Sequence, residues 1–137
     1  MTVLKNRRDA TIATYERFKD KPFNWFSASC AHMLRYHGKQ MGHKMPTVPS
    51  YRSALSAKRS LKKIGFDSLP QLMDSLFPRI APAQMLVGDM MALPGNEGFE
   101  ALVIRANVTK FVGWHEDADG LAIIDADLQS AIGAWRL

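Results

Sequence analysis

The sequence predicts an α+β fold, and three observations predict it. Apolar residues recur three and four positions apart between Asp9 and Leu76. From Met85 onward the pattern changes to short runs rich in β-branched and aromatic residues. Clusters of Gly, Asn, Asp and Pro punctuate both halves. Helices followed by a meander make an α+β domain, with the helices packed on a C-terminal antiparallel sheet.

Taken in order, Ile12, Tyr15 and Phe18 form one stripe of a short helix running from Asp9 and ending before Pro22. Ser27 to Gln40 places Cys30, Met33, Leu34 and His37 on overlapping positions of one face and predicts a second, more buried helix. After a loop containing Gly42, Pro46 and Pro49, Ser50 is the expected cap of a third helix reaching Lys63, closed by Gly65. Pro70 to Leu76 makes a fourth, with Pro in its first turn and Pro78 beyond its end. The expected strands are Met85–Leu93, Ala101–Ala106, Val108–Trp114 and Leu121–Ile124, joined by turns at 94–98, 106–107 and 116–120. One domain over 1–137 is expected: an N-terminal helix at 1–22, a helical half with Cys30 at 23–80, and a sheet half at 81–137.

With 47% hydrophobic and 23% charged residues, the composition is that of a folded globule and not of a disordered tail. A single cysteine excludes an internal disulfide and a cysteine-cluster zinc site, and fits a reducing compartment. The N-terminus turns charged before any apolar run forms, so neither a secretory signal nor a membrane span is expected. The net charge of +5 conceals an asymmetry: residues 1–65 hold 14 Lys and Arg against 3 acids, and residues 66–137 hold 4 against 10. That dipole suits a subunit docking charged neighbours, or a nucleic-acid-binding half. The eight Met suit adaptable packing in a core or interface.

Cys30 is the one strong nucleophile. It follows the aromatic stretch Phe23-Asn-Trp25-Phe26-Ser-Ala-Ser and opens a helix, where amide N–H groups and the macrodipole lower a thiol's pKa. A small apolar core residue is the competing reading. A Trp shortly before a helix-starting Cys, followed by helices and then a strand opening Gly88-Asp89, resembles NlpC-type papain-like cysteine peptidases, and most closely their small phage tail-tip relatives. The matching pieces are Phe23 to Cys30, Tyr51-Arg52-Ser53 through Leu61 to Gly65, Pro82-Ala83-Gln84 before Gly88-Asp89, and Ala134-Trp135-Arg136-Leu137. The resemblance implies a papain-like core.

Two departures bear on activity: Phe26 stands where the family has Gly after the Trp, and Ser29 where it has Asp before the Cys. Such a peptidase also needs an imidazole on the strand after the Gly-Asp strand, to hold the thiol as thiolate. That slot, Glu100 to Val103, has no His. A carboxylate there would raise the thiol pKa. His32 points away from Cys30 along the helix, His37 lies two turns on, and His43 sits in a loop. His115 is the remaining candidate base; its neighbours Glu116, Asp117 and Asp119 read as a solvated turn and not as a metal loop.

The resemblance therefore implies a structural component of a phage or prophage tail tip or baseplate, a degenerate cysteine-peptidase-like domain with Cys30 buried and no imidazole within about 4 Å. It implies no cofactor, location in the virion tail tip after synthesis in the host bacterial cytoplasm, and other tail proteins (hub, distal tail protein, central fibre) and peptidoglycan as partners. One alternative is an active peptidoglycan hydrolase with Cys30 as nucleophile and His115 as base. A second is a small nucleic-acid module using Arg7, Arg8, Lys58 and Lys62, with Tyr51 stacking on bases.

Overall fold

In the computed structural model, which describes residues 3–47, 51–95, 99–114 and 120–137, four helices precede and cover a six-stranded antiparallel sheet. The helices are α1 Val3–Phe18, α2 Cys30–Gln40, α3 Ala54–Lys63 and α4 Leu69–Leu76. The strands are β1 Arg79–Ile80, β2 Met90–Leu93, β3 Ala101–Arg105, β4 Lys110–Trp114, β5 Leu121–Asp125 and β6 Gly133–Trp135.

Several boundaries differ from the periodicity. Helix α1 begins at Val3 and not near Asp9, because Arg7 is held inside the fold by Asp89 and so extends the helix's packed face. Helix α2 begins at Cys30 and not Ser27. The Asn24 side chain accepts from the Phe26 and Ser27 amides, folding 24–27 into a turn, and Ser29 is the cap. Ser50 lies outside the described residues; α3 is capped by Ser53, whose hydroxyl accepts from the Ser56 amide at 3.2 Å. Gly65 closes α3 at φ +94, as expected. Ser68 caps α4 ahead of Pro70.

The strand expected over Met85–Leu93 is shorter, because Leu86 to Asp89 form a turn closed by the Asp89 amide on the Leu86 carbonyl at 3.0 Å. Gly88, third in that turn, takes φ +91, the left-handed geometry a type II turn requires. The residues expected to open β4 form an Asx turn instead, with Asn107 Oδ1 accepting from the Thr109 and Lys110 amides at 2.9 Å. The expected turn at 116–120 lies, apart from Gly120, outside the described residues, as do residues 96–98 of the 94–98 loop.

The sheet is not a simple meander. Its order is β1-β6-β2-β3-β4-β5, so β2 to β5 meander while β6 returns to pair with β2 on one side and β1 on the other. β1, at 79–80, belongs to the sheet although it falls in the expected helical half. Alternation along the strands fills two layers. Met90, Ala92, Leu102, Ile104, Val112 and Trp135 join the main core with the helices, whereas Met91, Val103, Phe111 and Ala134 form a smaller cluster packed by Leu93, Ile124, Leu128 and Ala131.

A buried carboxylate ties these layers together. Asp89 is fully buried and accepts from Arg7 Nη1 at 2.8 Å, the Leu137 amide at 3.0 Å and the Leu86 amide at 2.9 Å. Arg136 Nε lies 2.9 Å from the other carboxylate oxygen, but its N–H is not aimed there, so that contact is an ion pair without a hydrogen bond. Removing one partner of a buried pair strands the other charge and costs about 3–5 kcal/mol, whereas an exposed pair is worth less than about 1 kcal/mol. Asp89→Asn is therefore expected to lower the urea-unfolding free energy by several kcal/mol. Lys110→Ala, which breaks only the exposed Lys110–Asp125 pair, is expected to change it by less than about 1 kcal/mol.

Candidate functional site

Cys30 occupies the first position of α2, directly after the cap residue Ser29. Its side chain points into the main core, the residue being 7% exposed. The sulfur accepts from the Leu102 amide at 3.4 Å and approaches the Leu102 carbonyl at 3.9 Å. Leu102 lies within the segment, Glu100 to Val103, that the resemblance marks as the imidazole slot. Among the described residues, no His nitrogen is a hydrogen-bond partner of the sulfur.

The thiol is not activated as its helix-start position suggests. Burial pushes its pKa up, and the Leu102 amide only partly opposes that. The magnitudes explain the outcome: a helix terminus contributes about 0.3–1 kcal/mol, under one pKa unit, while burial of an unpaired ionisable group shifts it by up to about 3–5 units. At neutral pH the group is a thiol.

The other sequence candidates are dispersed. His32 turns back onto the helix start, where its Nδ1 lies 2.7 Å from Ser29 Oγ and accepts from the Ser29 amide at 3.2 Å. Ser29 Oγ also lies 2.8 Å from Tyr51 Oη. Because Nδ1 accepts the amide N–H, the consistent arrangement has Tyr51 donating to Ser29 and Ser29 donating to His32. Burial lowers the His32 pKa and raises that of Tyr51 to about 12, so both are neutral at pH 7. Ser29 is 1% exposed, so this serine–histidine contact closes the helix start and presents no nucleophile to solvent. Tyr51 is buried, which removes it as a base-stacking platform, and Arg7, committed to Asp89, is no phosphate ligand.

His43 packs edge-on against Phe77 with ring centroids 5.0 Å apart. His115, Glu116, Asp117 and Asp119 lie outside the described residues. Glu100 is half-buried just before β3 and lines a groove beside α3. Among the described residues no cluster of His, Cys, Asp and Glu is arranged to hold a metal, and no helix is long and apolar enough to cross a membrane.

His37 is fully buried. Its Nε2–H donates to the Gly88 carbonyl at 2.8 Å and its Nδ1 lies 2.9 Å from Thr14 Oγ1. Periodicity placed His37 on the buried face but carried no sign of Thr14 or of the Gly88 carbonyl. The Gly88-Asp89 pair is the available signal, but in the sequence it marks a strand opening and a family motif, not a carbonyl facing His37.

A sequence profile for a domain of unknown function, DUF6950, matches residues 2–137. The chain belongs to the DUF6950 family. No curated protein matches this DUF6950 domain by sequence. Among solved structures it is similar to RipD from Mycobacterium tuberculosis, described as a non-catalytic NlpC/p60 domain protein adapted to peptidoglycan binding. That match has a TM-score of 0.62 at 14% identity and covers 96% of this chain and 97% of that one. It is also similar to the P60 domain of antigen MAP1272c from M. avium paratuberculosis, with a TM-score of 0.59 at 16% identity, covering 98% and 96% of the two chains. The DUF6950 domain thus has the α+β, papain-like NlpC/p60 fold.

Burial holds the His37 pKa down at about 4, against an ordinary value of 6.5. Between those values the unfolded chain binds the proton and the folded one does not, so stability falls with falling pH. His37→Gln is expected to flatten that slope, worth about 3 kcal/mol at full extent, in urea titrations between pH 7 and 4.

Proposed function

We propose that this domain is a catalytically silent NlpC/p60-type module that serves as a structural component of a phage or prophage tail tip. The observation that carries the silence is the enclosure of the Cys30 sulfur against the Leu102 backbone, with burial raising its pKa. Acyl transfer by cysteine needs a thiolate, an adjacent base and access for a carbonyl carbon. Cys30 is 7% exposed and Ser29, next to it, is 1% exposed. The tail-tip half of the reading is supported by the order of motifs from Phe23 to Leu137 that resembles small phage tail proteins. The similarity to RipD adds a specific activity to look for, adhesion to peptidoglycan without cleavage.

Incubation with purified peptidoglycan, followed by muropeptide chromatography, is expected to give no release from wild type or from Cys30→Ala. Release by wild type that disappears in Cys30→Ala would establish the hydrolase instead. Antibody labelling of purified virions or induced prophage particles is expected at the distal end of the tail, and absence from purified particles would remove the structural role.

A further inference from the structure

Helix α3 carries an outward stripe for which the silent-domain reading gives no use. Leu55, Lys58, Arg59 and Lys62 fall at i, i+3, i+4 and i+7, on one side of the helix, while Ala54, Ala57 and Leu61 form its buried side. Leu55 is 58% exposed and Ile64, just past the helix, 50%. Arg52 and Lys63 bring to five the cations between residues 52 and 63, a stretch without an acid. Among the described residues none of the five enters an ion pair. The stripe forms one wall of a groove of about 370 Å³, with Leu61 and Phe99 among its apolar lining and Asp67, Ser68 and Glu100 completing it.

We propose that this groove is the docking site for an acidic, amphipathic segment of another polypeptide, its carboxylates meeting Lys58, Arg59 and Lys62 and an apolar side chain seated against Leu55. The proposal deepens the assembly reading above and rests on it only for the partner's role. Charge complementarity selects a negative occupant. The groove's two carboxylates select a peptide over a nucleic acid: a peptide can turn backbone N–H groups toward Asp67 and Glu100, whereas a phosphodiester carries charge at every unit. An apolar residue amid the cations offers a peptide an anchor and offers a hydrated phosphate nothing.

The test is fluorescence anisotropy with a labelled peptide of about 14 residues carrying one Leu and three Glu on one helical face, at i, i+3, i+4 and i+7, and a Leu→Ser control peptide. The Leu peptide is expected to bind about tenfold tighter than the control, the equivalent of about 1.4 kcal/mol. Lys58→Glu and Arg59→Glu are expected to weaken both peptides severalfold with unchanged circular dichroism melts, and Leu55→Ser to abolish the preference between them. Failure to bind either peptide, or equal affinity in wild type and the charge-reversal variants, would overturn the proposal. So would tighter binding of wild type to a short DNA duplex or to anionic phosphatidylglycerol vesicles at about 150 mM salt. None of these readouts depends on Cys30, so they stand or fall apart from muropeptide release.

Discussion

A carboxylate removed from water has to be paired and hydrogen-bonded, and Asp89 meets that demand by drawing in groups from distant parts of the chain. Arg7 comes from α1, the Leu86 amide from the turn before β2, and the Leu137 amide and Arg136 from the segment after β6. Burial of such an ion without partners costs several kcal/mol, so these elements are held in one arrangement. The same turn sets Gly88 at a positive φ and aims its carbonyl at His37 on α2, while Thr14 on α1 meets the other ring nitrogen. The polar centre of the molecule therefore fixes α1 and α2 against the sheet, and with α2 it fixes Cys30.

What that scaffold does with Cys30 follows from desolvation. The start of α2 is sealed by the Tyr51–Ser29–His32 chain on one side and by the Leu102 backbone on the other. Trp25 packs against the same core, with Phe99 at 5.3 Å and Tyr51 at 6.1 Å between ring centroids. In this structure a helix start meets a strand, and the junction is filled with neutral hydrogen bonds and aromatic packing. Among the described residues the buried charge is confined to the Arg7–Asp89 pair, while Lys58, Arg59 and Lys62 of α3 line a groove on the outside.

The helices were legible because their apolar spacing is long enough to read and their ends carry local signals such as Gly65, Pro70 and Pro78. The strands β3 to β5 were legible from β-branched runs. β1 and β6, of two and three residues, are too short for periodicity, and β6 pairs with β2 across more than forty positions, a contact no local pattern encodes. Ser53 caps α3, and sequence alone does not single it out, because any of several serines in the stretch can accept from a helix-start amide. At the site, the cysteine at a helix start and the strand opposite it were both readable from the resemblance. The thiol's burial, the Ser29–His32 contact and the Arg7–Asp89 pair were not, since each is made by tertiary packing and none by spacing.

The pH dependence of Cys30 alkylation in the native protein, followed by intact mass, tests the enclosed thiol most directly. Iodoacetamide is expected to react orders of magnitude more slowly with native than with urea-unfolded protein, its rate still climbing beyond the ordinary thiol pKa of about 8.5. Rapid native labelling with a plateau set by a pKa below about 7 would mean an exposed, ion-paired thiolate and would contradict the account.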